Sequence, residues 1–143
     1  MSGRDAAWPE DADLLSIFRD ARTIAVVGLS SDEGRHSHEV ASYLQRHGYR
    51  IIPVNPNETD VLGEKAYPSL LDVPVPVDAV DVFRRPEYTP DVARDAVAVG
   101  AKVLWLQVGI VNEEAARIAE EAGLTVVMGV CMMSEHRRMN ADR

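Results

Sequence analysis

The run Thr23-Ile24-Ala25-Val26-Val27, closed by Gly28 and followed by Leu29-Ser30-Ser31, decides how the rest of the chain reads. Continuous β-branched and apolar residues of this length suit a strand covered on both faces, because a half-exposed strand would alternate with polar residues. Four further runs share the character: Arg50-Ile51-Ile52-Pro53-Val54, Ala79-Val80-Asp81-Val82-Phe83, Lys102-Val103-Leu104-Trp105-Leu106-Gln107 and Leu124-Thr125-Val126-Val127-Met128. Between them the apolar residues change to helical spacing. Ser37–His47 carries Val40, Ala41 and Leu44; Pro90–Val99 carries Ala93, Ala96 and Val97; Asn112–Ala122 carries Ala115, Ala116, Ile118 and Ala119. Each ends near a glycine (Gly48, Gly100, Gly123), where a left-handed residue commonly closes a helix.

Leu14, Leu15, Ile17 and Phe18 predict a leading helix over about 11–20 that packs on the sheet edge. Met133–Met139 predicts a short closing helix. Glu58–Val77, with Gly63, Pro68, Pro74 and Pro76, reads as a turn-rich connection with a short helical turn at Ser69–Asp72. Alternation of strand and helix is the mark of a parallel sheet with right-handed crossovers. The fold class expected is therefore α/β: one Rossmann-like domain over 1–143, its core about 23–139. It has a mostly parallel five-stranded sheet with helices on both faces.

Composition narrows the function. The chain has 143 residues, 46% hydrophobic, enough for one domain with a core of its own. With 15 Lys+Arg against 23 Asp+Glu the net charge is −8. That argues against a nucleic-acid or anionic-membrane binder, which needs a basic face. A small anion held by a few local donors stays open. Cys131 is the only cysteine, which excludes an intrachain disulfide and a Cys-rich zinc site. Neither a signal-peptide pattern nor an apolar run of about 18 residues is present. A cytoplasmic location is the expectation.

Open parallel sheets bind ligands beyond the carboxyl ends of their strands. The residues there are Gly28-Leu29-Ser30-Ser31, Val54-Asn55-Pro56, Phe83-Arg84-Arg85, Gln107-Val108-Gly109 and Gly129-Val130-Cys131. In the first loop Gly28 permits close backbone approach, Ser30 and Ser31 supply hydroxyls, and amides at a helix start favour an anion. Arg35 adds a charge. The alternative is an ordinary turn with Ser37 as N-cap. A dinucleotide fingerprint needs G-x-G-x-x-G and an acid about 20 residues on. Only Gly28 and Gly34 occur, and the second run ends in Asn55-Pro56. A Walker loop also fails, lacking its lysine.

The segments Ala25–Ser30, Ile52–Pro56, Gly63 with Tyr67 and Ser69-Leu70, Val77–Arg84, Gly100–Lys102, Trp105–Gly109 and Ala122–Met128 follow one another in order. Together they resemble the stand-alone CoA-binding domain proteins, similar to the N-terminal domain of the succinyl-CoA synthetase α subunit. The resemblance spans roughly 12–139. It implies a domain that holds coenzyme A, or an acyl-CoA, along the strand ends. On that resemblance Gly28, Ser30 and Ser31 contact the phosphates, Arg35 matches the basic residue of the same loop, Leu29 and Ser37 are further binding residues of that loop, and Val54, Asn55 and Pro56 line the nucleotide end. Phe83 and Arg84 flank the ligand, and Gln107 and Gly109 border the pantetheine path. Two departures stand out: Asp32-Glu33 and His36 where relatives carry a proline and a basic residue, and Gly129-Val130 where they often carry Asp-Arg.

Among the other polar residues, Cys131 reads as a small buried hydrophobe rather than a nucleophile. His36 and His38 are spaced to point to different helix faces, so no metal pair is expected. His47 reads as structural, and Trp105 as core. Acyl-CoA synthetases of this lineage use a further domain with a phosphorylated histidine and a nucleotide-grasping domain, for which the sequence has no counterpart. The expected function is non-catalytic binding of CoA. The alternatives are an NAD(H) or nucleotide sensor, and an interaction subunit docking on a separate ligase through Leu14, Leu15 and Phe18. A homodimer or docking onto a larger enzyme completes the partner expectations.

Overall fold

The first run becomes strand β1, Thr23–Val27, and its residues divide between two cores. Ile24 and Val26 pack into one apolar cluster, Ala25 and Val27 into the other. Both faces of the strand are therefore buried, which is why the run shows no alternation. The computed structural model describes residues 9–139; the ends of the 1–143 range lie outside them.

The other strands of the main sheet are β2 (Arg50–Val54), β5 (Ala79–Val82), β6 (Val103–Leu106) and β7 (Thr125–Met128), in the spatial order β2-β1-β5-β6-β7. All four pairings are parallel, so the sheet is wholly rather than mostly parallel. The helices are α1 (Asp11–Asp20), α2 (His36–Arg46), α3 (Thr89–Ala98), α4 (Glu113–Glu121) and α5 (Met132–Arg138). Residues of α1, α2 and α5 share one core with Val26 and Trp105; residues of α3 and α4 share the other with Val80 and Leu104. This is the expected α/β Rossmann-like domain.

The leading helix differs from its expectation in where it lies. Phe18 is buried with its ring 5.7 Å from that of Trp105, which sits in β6, one strand in from the edge. Burying an aromatic of this size stabilises by roughly 1.5–3 kcal/mol. Leu14 and Ile17 are buried in the same core, and Leu15 packs against it partly buried. The Trp105 indole donates to the Val130 carbonyl at 2.8 Å, satisfying its polar end and tying down the loop after β7.

The connection over Glu58–Val77 holds a hairpin that the sequence reading left as turns: β3 (Asp60–Val61) against β4 (Glu64–Lys65). Leu62 and Gly63 form its two-residue loop, both with positive φ (56° and 78°). That geometry fits the right-handed twist of a hairpin but ordinarily selects Asn-Gly. Gln45 donates to the Leu62 carbonyl at 3.1 Å, holding the strained turn against α2. The expected helical turn is a 3-10 turn at Leu70–Asp72, capped by the Ser69 hydroxyl accepting from the Leu71 amide.

Candidate functional site

Strand order turns back between β1 and β5: the chain runs from β1 outward to β2, then returns past β1 to reach β5. Such a reversal leaves a crevice above the strand ends, because the two crossovers leave in opposite directions. Gly28 and Phe83 stand at its lips. The Phe83 amide donates to the Val27 carbonyl and the Gly28 amide to the Val54 carbonyl, both at 2.8 Å, so the ladder holds both loops in place.

An open cleft of about 460 Å³ lies there, lined by Gly28, Ser30, Arg35, His36, Ser37, Asn55, Asn57, Glu58 and Phe83. Of the residues expected from the sequence it unites Gly28, Ser30, Arg35, Ser37, Asn55 and Phe83. Ser31 faces a neighbouring depression with Glu33 and His38. Pro56 and Gly109 are exposed, and the Arg84 guanidinium lies 5.3 Å over the Tyr88 ring. Leu29 and Val54 are buried and do not line the cleft.

Two of the expected residues have internal partners. Ser37 is not the N-cap of α2; Arg35 holds that place without a side-chain bond. The Ser37 hydroxyl instead accepts from the Ser30 amide at 3.2 Å, fastening the loop to the first turn of the helix. Gln107 is 1% exposed, its Oε1 accepting from the Met132 amide at 3.0 Å. It closes the base of the last loop rather than opening onto the cleft.

The first loop is held from both sides. Asp32 accepts from the Gly34 amide at 2.9 Å while its own amide donates to the Ser30 hydroxyl at 3.0 Å. Across the cleft the Asn55 amide group donates to the Leu29 carbonyl at 3.1 Å. A single Glu58 oxygen accepts from both the amide and the hydroxyl of Ser31, at 2.8 and 3.0 Å.

The sequence reading missed His36, Asn57 and Glu58. His36 Nε2 is 3.6 Å from the Cys131 sulfur and its Nδ1 is 3.4 Å from Glu39 Oε1. The histidine beside the buried thiol is thus the one opening α2, while His136 Nδ1 meets the Tyr43 hydroxyl at 2.8 Å. Beneath the crevice, Asp81 shares a sheet face with Val26 and Trp105, fully buried, and neither carboxyl oxygen has a hydrogen-bond partner. Burial pushes its pKa well above the usual carboxyl range. Among the described residues no group of three or more His, Cys, Asp or Glu is placed to hold a metal, and no helix is long and apolar enough to cross a membrane.

Arranged this way, the cleft offers small residues, hydroxyls and one arginine above a helix start, with an aromatic ring on the far lip. A surface of this chemistry can hold a phosphate-bearing ligand. Comparison with known proteins gives the same direction. A family model described as a CoA binding domain matches residues 22–137. The uncharacterized protein YneT of Bacillus subtilis is 44% identical over 128 residues, covering 90% of this chain and 95% of its own length. A hypothetical protein from Pyrococcus horikoshii superimposes with a TM-score of 0.90 at 42% identity, covering 92% of this chain and 93% of that one. The alpha subunit of an ADP-forming acetate–CoA ligase from Pyrococcus furiosus is 28% identical over 141 residues, which is 90% of this chain but 31% of the subunit. With its model matched from before β1 into α5, the chain belongs to the CoA-binding domain family.

Proposed function

We propose that this protein holds coenzyme A or an acyl-CoA in the cleft above β1 and β5 and does not itself transform it. The observation that carries the reading is the convergence of Gly28, Ser30, Arg35, Ser37, Asn55 and Phe83 on one cleft at the strand-order reversal. In this reading the phosphates lie along Gly28–Ser31 with Arg35, the adenine lies against Val54–Pro56, and Arg84 and Phe83 flank the turn of the ligand. Gly109 and the exposed Val108 border the pantetheine arm. The family match supports the ligand class. The acetate–CoA ligase subunit is a relative over only part of its length, which supports a shared binding unit.

Calorimetric titration of ligand-stripped protein with CoA tests the proposal. Saturable binding is expected, with acetyl-CoA retained. Incubation with ATP, acetate and CoA is expected to give no thioester. Absence of heat with millimolar CoA, or turnover at enzyme-like rates, would reject the corresponding half.

A second reading has one observation in its favour. The acid that a dinucleotide site wants after the second strand is missing at Asn55, yet Glu58 brings a carboxylate to the same cleft. Displacement of bound CoA by NADH but not by ADP would select that reading.

A further inference from the structure

We infer that Glu58 is a gate on the anion loop: its carboxylate occupies the Ser31 donors that a phosphate would use, so a phosphate ligand enters by displacing it. This rests on the reading of the cleft as a CoA site and adds a control element to it.

One carboxylate oxygen accepts from the Ser31 amide at 2.8 Å and from the Ser31 hydroxyl at 3.0 Å. A carboxylate oxygen and a non-bridging phosphate oxygen are the same kind of partner, an anionic acceptor for short charge-assisted bonds. Two further amides of the loop are also engaged internally. The Ser30 amide is held by Ser37, and the Asp32 amide by Ser30. At Ser31 an acid from another part of the chain therefore stands where an anion would sit.

The gate is mounted firmly and moves easily. Its backbone amide donates to the Asn55 carbonyl at 3.2 Å, and the Asn55 side chain is bonded across the cleft to Leu29. The turn is thus fastened to the loop that it guards. The Glu58 side chain is only half-buried, so rotation into water removes it without unfolding anything. Of the two loop acids that the sequence makes conspicuous, Asp32 is turned onto Gly34 and Arg35, its Oδ2 4.0 Å from the Arg35 guanidinium.

Affinity for a phosphate ligand is then a difference between two anions competing for the same donors. The test is a calorimetric series with CoA on the wild type, Glu58→Gln and Glu58→Ala, each checked for an unchanged melting midpoint. Pantetheine, which has no phosphate, is the comparator. Removing the charge is expected to tighten CoA about tenfold, since a charge-assisted bond is roughly twice as strong as a neutral one. Glu58→Ala is expected to bind at least as tightly as Glu58→Gln, and pantetheine is expected to be indifferent to both. The Ser31 amide resonance gives a second readout: it is expected to move on Glu58→Gln in the absence of any ligand. Equal CoA affinity in all three proteins would overturn the gate and leave the CoA site standing. Weaker binding by the variants would also overturn it, making Glu58 a direct acceptor for a ligand hydroxyl. No CoA binding by any of them would remove the site and the gate together.

Discussion

Gly28 and Phe83 approach so closely that a Cβ on Gly28 would lie 2.6 Å from the Phe83 carbonyl oxygen and 3.2 Å from its carbonyl carbon. The backbone of Gly28 also has φ +90°, which side chains disfavour. Two independent constraints thus demand glycine where β1 and β5 deliver their loops to the cleft. Gly28→Ala is expected to cost at least about 2 kcal/mol from backbone strain and the displaced carbonyl together. Urea unfolding of the two proteins side by side measures it. A loss within about 0.5 kcal/mol, the ordinary surface range, would show that the β5 loop gives way freely.

Asp81 makes stability depend on pH in an unusual direction. Its carboxyl is buried without a partner, and its pKa is raised by that burial. Above the ordinary carboxyl pKa the unfolded chain releases this proton while the folded chain keeps it. The folded state then binds more protons, so stability falls as pH rises through that window and levels off above the raised folded value. Asp81→Asn removes the group. Its stability relative to wild type is expected to improve steadily from pH 4 towards neutrality, and chemical denaturation at several pH values reads the slope directly. Parallel curves would mean that Asp81 titrates alike in both states.

In the proposed CoA site Arg84 flanks the ligand beside the lip formed by Gly28. Its Cδ lies 3.4 Å from the Gly28 Cβ position and its guanidinium rests over Tyr88 at 5.3 Å. Arg84→Ala is expected to weaken CoA about tenfold, the size of one charge-assisted contact, while leaving the melting midpoint near wild type. Arg84→Lys is expected to fall between, since an ammonium keeps the charge and loses the planar fork. Calorimetry on the three proteins checks the order.

The thiol of Cys131 is 5% exposed and lies behind His36, an outer residue of the same cleft. Native protein is expected to react slowly with an aromatic disulfide reagent and unfolded protein rapidly. Saturating CoA is expected to slow the native reaction further, because a ligand in the cleft covers the imidazole. His36→Ala is expected to accelerate it by uncovering the sulfur. An unchanged rate in both experiments would place the path to the thiol on another side of the protein.

The sheet was legible in the sequence for a simple reason. Strands buried on both faces, such as Val103–Leu106, appear as uninterrupted apolar runs, and the small residues Ala115, Ala116 and Ala119 mark the helix face that packs on them. The hairpin at Asp60–Lys65 was hidden because Leu62 occupies a turn position that usually announces itself with asparagine; its tolerance comes from Gln45 in a distant helix. Within the cleft, Gly28, Ser30 and Asn55 could be placed because they end strands. Glu58 and His36 could not. Glu58 acts on a residue 27 positions away, and His36 on one 95 positions away. Such pairings arise from the crossovers, and local pattern carries no trace of them. Ser37 shows the reverse case, where a residue typical of helix caps is drawn instead to the backbone of a loop that precedes it.

The strand order also governs the molecule's assembly from one end. β1 and β2 are near neighbours along the chain and pair through a single crossover helix, whereas the other edge of β1 waits for residues 79–82. During that interval its amides and carbonyls on that side are open to any extended segment in reach. The Asp78 carboxylate, accepting from the amides of both Arg22 and Thr23 at 2.8 and 2.9 Å, pins the arriving strand at the correct starting register. Until then β1 and β2 alone leave both of their outer edges without a strand partner. The speed of that long-range closure sets how long nascent chains are exposed to sticking to one another.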